Sequence, residues 1–225
     1  MDLRYIGHSA FELKLANNSI LIDPFVQVNP EYNWREVNIT DIFVTHAHGD
    51  HLGQAIEIAK EKDATITAVF ELANYLREQG CKVRPVGFGS WINYEWGRVV
   101  FVPAFHSSSL PDGRYAGEPA GIIFDVENVR IYHAGDTALT SEMKTIKELY
   151  RPNIAMLPIG GNYTMDVEHA VVASEWIGAQ TIIPMHYGTF PEIQADVEKF
   201  GQLLEFNNSR CVVMNPKDNN NQNQE

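Results

Sequence analysis

Four short apolar runs in this chain end on the same kind of residue, a histidine or an aspartate, and that recurrence narrows the fold more than any other feature. Phe43-Val44 leads into His46, the run 100–104 into His106, Ile131-Tyr132 into His133 and Asp136, and the run 181–184 into His186. Runs of this length and β-branched content read as strands. In an α/β fold the carboxyl ends of strands are where ligands are held. Four such ends, each delivering a metal-ligand type of side chain, form a constellation rather than a scatter.

The densest part is Thr45-His46-Ala47-His48-Gly49-Asp50-His51-Leu52-Gly53. His46 and His48 are two apart, so in an extended segment their side chains point the same way and can grip one ion. Asp50 and His51 follow a glycine, where the chain can turn, and can face a second ion nearby. The spacing differs from His-Glu-x-x-His, which sets two ligands one helical turn apart. Neutral imidazole and carboxylate suit divalent transition metals. A polar surface turn would favour Gly, Asn, Pro and Ser over clustered His.

Strands are expected at residues 3–6, 10–15, 19–22, 41–44, 65–69, 99–102, 122–126, 129–132, 181–183 and 211–214. Helical patterns cover 71–79, 141–150, 166–177 and 192–200, the last opening after Pro191, and a further helix starts near Leu52. Strands and helices alternate with no composition break, which predicts one α/β domain over residues 1–214 with two sheets covered by helices. The polar stretch 215–225 has no apolar anchors and reads as a disordered tail.

A chain of 225 residues with 44% hydrophobic content can bury a sizeable core. No run of 18 or more apolar residues occurs, and the first residues lack a signal-peptide pattern. With Cys81 and Cys211 as the only cysteines, no disulfide framework is available, so a reducing cytoplasm is expected. The net charge of −12 argues against nucleic acid and anionic membranes as general partners. Bound cations can reverse that field inside a pocket.

Thr-His-Ala-His-Gly-Asp-His, a lone His106 after a later strand, Ala134-Gly135-Asp136-Thr137 and Pro184-Met185-His186-Tyr187-Gly188, in this order, resemble the metallo-β-lactamase superfamily. Gly7-His8-Ser9-Ala10-Phe11 and Leu157-Pro158-Ile159-Gly160-Gly161-Asn162 are similar to the branch of bacterial and archaeal metal-dependent hydrolases related to ascorbate-6-phosphate lactonase. The resemblance covers about residues 1–214. It implies a four-layer αββα sandwich of two mixed sheets flanked by helices, with the site at one edge. It gives one metal His46, His48 and His106, the other Asp50, His51 and His186, and makes Asp136 the bridge.

Two divalent ions follow, zinc first, with manganese, iron or nickel as alternatives. A metal-bound hydroxide would attack an ester, lactone or phosphoester bond of a small, in part anionic substrate. Asp50 is also placed to accept a proton. His8 is a further catalytic candidate, as a proton shuttle or substrate contact, against a plain turn role. Gly161, Asn162 and Thr164 read as a substrate-side loop, or as a strand-to-loop turn. His133 is divided between supporting a ligand and strand-end packing. His169 reads as solvated or packed, Trp34 and Tyr32 as core, and Cys81 and Cys211 as structural. Residues 107–117 read as a flexible loop or pocket wall. The resemblance also implies a homo-oligomer. The competing readings are a phosphodiesterase or nuclease, a di-iron redox protein (disfavoured, since the chain has no room for a flavin domain), and a non-catalytic metal-binding protein.

Overall fold

A computed structural model describes residues 1–217; the expected tail lies outside these from residue 218. The chain divides into two compact units. Unit 1 takes residues 1–86, 108–118 and the chain from Met214; unit 2 takes 87–107 and 119–213.

Unit 1 is built from β1 (Asp2–Gly7), β2 (Ala10–Lys14), β3 (Ser19–Ile22), β4 (Ile39–Phe43), α1 (Gly49–Leu52), α2 (Ala55–Lys62), β5 (Thr65–Val69), α3 (Phe70–Glu78) and β6 (Lys82–Val86). Its six strands lie in sequence order in one sheet, antiparallel from β1 to β3 and parallel from β3 to β6. The change of sense follows the connections: tight turns join β1 to β2 and β2 to β3, whereas helical crossovers join β4 to β5 and β5 to β6. Helix α2 packs on β4 and β5, and α3 on β5 and β6. All four residues of β3 are buried, which accounts for the unbroken apolar run that follows Ser19.

Unit 2 repeats the plan. It contains β7 (Ile92–Tyr94), β8 (Gly97–Pro103), β9 (Ala120–Val126), β10 (Val129–His133), α4 (Glu142–Leu149), β11 (Ile154–Pro158), α5 (Val167–Ile177), β12 (Thr181–Met185), α6 (Val197–Phe206) and β13 (Arg210–Cys211). The seven strands again follow sequence order, antiparallel from β7 to β10 and parallel from β10 to β13. Helix α5 packs on β11 and against α4 and α6. Two mixed sheets with helices against them are therefore present, as expected.

Several boundaries differ from the expectation. The helix expected at 192–200 begins only at Val197, because Asp196 caps it, its carboxylate accepting from Lys199 N at 2.9 Å; Pro191–Ile193 is a single 3-10 turn. The last strand is Arg210–Cys211, shorter and earlier than 211–214. The short edge strands β6 and β7 were not anticipated, because Arg84, Pro85 and Asn93 break their apolar patterns, and edge strands tolerate such residues. Strand β11 coincides with the apolar run preceding Gly160. Among the described residues no helix is long and apolar enough to cross a membrane.

Candidate functional site

In unit 1 the loop bearing His46 and His48 hangs from β4 and is fixed by a residue the sequence reading passed over, Asp23. Its buried carboxylate accepts Thr45 N–H at Oδ1 (2.8 Å) and the Thr45 hydroxyl at Oδ2 (2.7 Å). Oδ2 also accepts from His51 Nδ1 at 2.7 Å. The signal was present: Asp23 ends the run 19–22, as the candidate ligands end theirs.

These bonds settle two tautomers. The Thr45 hydroxyl gives its one proton to a carboxylate, which only accepts, so at 3.0 Å His46 Nδ1 must be the donor to Thr45 Oγ1. His51 donates its Nδ1–H to Asp23 in the same way. In the neutral form of each ring the proton then sits on Nδ1 and Nε2 is the nitrogen that can bind a metal. His46 Nε2 lies 3.1 Å from His48 Nδ1. Two nitrogens on one tetrahedral ion, each 2.0–2.1 Å from it, would be about 3.3 Å apart, so the donor pair fits a shared ion.

Asp50 and His51 sit in α1 rather than on an open loop. Gly53 ends that helix at φ 45°, where a Cβ would stand 2.4 Å from Pro24 O; only glycine lets α1 close against the Asp23–Pro24 turn. His8, in the left-handed region at φ 57°, is buried and its Nε2 lies 3.0 Å from Asp50 Oδ2. His8, Asp50 and His51 each offer a ligand atom within 4.8 Å of the others. The segment 108–118 forms a short hairpin rather than a flexible loop, with Ser109 bridged to Tyr115 and Ser108 Oγ accepting Ala47 N–H at 3.2 Å.

In unit 2 the ends of β8, β10 and β12 meet. Phe105 N–H donates to Thr137 Oγ1 (3.0 Å) and Ala138 N–H to Phe105 O (3.0 Å), which draws His106 to Asp136. Asp136 Oδ2 lies 3.1 Å from His186 Nε2 and 3.6 Å from His106 Nε2. His186 is held at φ 53°, and Gly160 lies so close beneath it that a Cβ would stand 2.3 Å from His186 O. His133 points elsewhere: its Nδ1 accepts Gly135 N–H at 3.1 Å, which supports the turn carrying Asp136.

Gly161, Asn162 and Thr164 lie in a tight turn tied back by Gly161 N–H to Met165 O (2.9 Å), while Met165 N–H reaches Thr137 O (3.2 Å). Asn162 is exposed. His169 lies on α5 beside the capping Asp166, with its side chain exposed and outside the ligand set. Trp34 is buried, and so is Tyr32, whose hydroxyl donates to Glu12 Oε2 at 3.0 Å. Burial raises both thiols, Cys81 and Cys211, so neither is a ready thiolate nucleophile.

The donor set of each unit is imidazole and carboxylate, chemistry that suits zinc, manganese, iron or nickel and fits a metal centre. The family described as beta-lactamase superfamily domain matches residues 2–186. A UPF0173 metal-dependent hydrolase of Bacillus cereus is 44% identical over 212 residues, spanning 91% of this chain and 93% of that protein. Igni18, a metallo hydrolase from the hyperthermophilic archaeon Ignicoccus hospitalis, superposes with a TM-score of 0.88 at 35% identity, covering 95% of this chain and 94% of its own.

Proposed function

This chain belongs to the metallo-β-lactamase superfamily and is a metal-dependent hydrolase, and from that premise we propose that it cleaves an ester, lactone or phosphoester bond of a small anionic molecule with water as nucleophile. The observation that carries the reading is the fixing of His46 and His51 by their Nδ1 atoms, which makes Nε2 the nitrogen that each neutral ring can offer a divalent ion.

The donors we propose are His46, His48, Asp50 and His51 of unit 1 and His106, Asp136 and His186 of unit 2, as the family pattern assigns them. We propose two ions, zinc first. A divalent ion bound by such a set supplies Lewis acidity and brings the pKa of water toward about 7. Asp50, partly open to solvent, accepts the proton that the attacking water gives up, while His8 orients that carboxylate through their 3.0 Å contact. With five neutral imidazoles and two carboxylates, two divalent ions keep a net positive charge, which favours an anionic substrate despite a net charge of −12. The turn of Gly161, Asn162 and Thr164 is the proposed substrate side.

The test is elemental analysis of the untagged protein, coupled to a panel of lactones, phosphomonoesters, phosphodiesters and single-stranded nucleic acid. Stoichiometric metal and turnover of a small lactone or phosphoester, lost on chelation and restored by metal, are expected. Turnover confined to nucleic acid would move the reading to a nuclease. Retained metal with no turnover on the whole panel would overturn the proposed bond class.

A further inference from the structure

Unit 2 carries a second polar cleft, at the end of its sheet opposite Asp136. The cleft encloses about 360 Å³ and is lined by Arg98, Asp125, Asn128, Arg130, Arg151 and Asn153. Arg98, Asp125 and Arg130 form one cross-strand row on β8, β9 and β10. Arg130 stands three residues before His133 along β10, about 10 Å at 3.3 Å per residue, and Asp136 lies beyond that.

Three guanidiniums and a single carboxylate line the cleft. Asp125 Oδ2 accepts from Arg98 Nε (2.9 Å) and Nη2 (2.7 Å) and from Arg130 Nε (3.3 Å). Among the described residues the Arg151 side chain forms no ion pair or hydrogen bond. Glu127, in the neighbouring turn, lies outside the lining. Asn153 Oδ1 accepts Arg130 N–H at 2.8 Å, which leaves its amide NH2 as a donor. In a chain of net charge −12, this cleft has the opposite local balance.

The backbone adds an independent observation. Arg151 follows α4 at φ 47°, in the left-handed region, where Gly or Asn is the residue that a helix end ordinarily takes. A cation beside the helix carboxyl end accounts for a positive charge at that position. It does not account for two further arginines and two amides around the same cleft. A long charged side chain kept at a strained position points to a function for its charge.

We propose that this cleft binds the phosphate group of a small phosphorylated molecule, apart from the candidate metal ligands. The guanidinium fork matches phosphate oxygens in pairs, and three such forks offer more donors than the Asp125 carboxylate and Tyr150 O, which accepts from Arg130 Nη1 at 2.7 Å, can use. Titration of the metal-loaded full chain with inorganic phosphate and, separately, glycerol 1-phosphate, followed by calorimetry at matched ionic strength, tests it. Saturable binding of both probes is expected, and tighter binding of the ester would mark an organic phosphate as the source.

Arg151→Asn should weaken both by about tenfold, the loss of one charge-assisted contact. Its melting temperature without ligand should match or exceed the parent's, because Asn accepts the left-handed backbone. Asp136→Asn, which would remove phosphate held at the metal ligands, should leave the binding intact. Unchanged affinity in Arg151→Asn, loss of binding in Asp136→Asn alone, or no saturable signal with either probe up to millimolar concentration would overturn the proposal.

Discussion

Asp23 and His51 meet through a 2.7 Å hydrogen bond between two fully buried side chains, and the same carboxylate holds both donors of Thr45. One residue at the end of β3 thus sets the position of the loop after β4 and the tautomer of a ring on α1. Replacing Asp23 with Asn puts an NH2 where one acceptor stood, so at least one of the three donors loses its partner. Metal affinity should fall by about 10–100-fold, the usual cost of losing a carboxylate behind a ligating histidine. The melting temperature should fall too, since a buried unpaired donor costs about 1–3 kcal/mol. Competition with a chromogenic chelator reads the affinity, and parent-like retention of metal would count against this role.

His8 and Asp50 make a separable prediction. His8→Ala should reduce kcat by about 10²-fold, the lower range for general base catalysis that depends on the orientation of Asp50, while metal content stays near the parent's. The left-handed φ of 57° at His8 is unfavourable for Ala, so the melting temperature should be measured alongside. Metal loss in a folded variant would make His8 a ligand instead.

The strand ends were legible because each candidate ligand follows an apolar run closely, so His46, His106, Asp136 and His186 stand out in the sequence without knowledge of the fold. Asp23 was less visible. It stands alone before Pro24, and only the register of β3 beside β4 shows that it faces Thr45. The edge strands β6 and β7 were hidden for a different reason, since edge positions carry polar residues and a proline that mask a strand pattern. The arginine cleft combines residues far apart in sequence, from Arg98 to Asn153, and depends on cross-strand register that periodicity alone does not give.

Gly160 gives a steric prediction. A Cβ there would lie 2.3 Å from His186 O and 2.9 Å from Ile193 Cβ, closer than real Cβ contacts allow. Gly160→Ala should therefore displace the backbone that carries His186, destabilising the fold by about 1–3 kcal/mol and lowering metal affinity together with activity. Gly87→Ala is the matched control, because a methyl there meets nothing within 4 Å. Equal melting temperatures for the two variants would mean that the loop after β12 yields without cost.

Metal removal should show how far the ligand sets depend on their ions. His46 Nε2 and His48 Nδ1 stand 3.1 Å apart, and Asp136 Oδ2 has imidazole nitrogens at 3.1 and 3.6 Å. These donors converge only in the folded chain, so a divalent ion binds it in preference to the unfolded one. Free metal at 100 times its Kd should then stabilise the protein by about 2.7 kcal/mol. Scanning calorimetry after dialysis against a chelator should show a lower Tm that rises again with the logarithm of added zinc or manganese. A Tm insensitive to both chelator and metal would show that the donors hold their geometry unaided and that neither ion binds the native state.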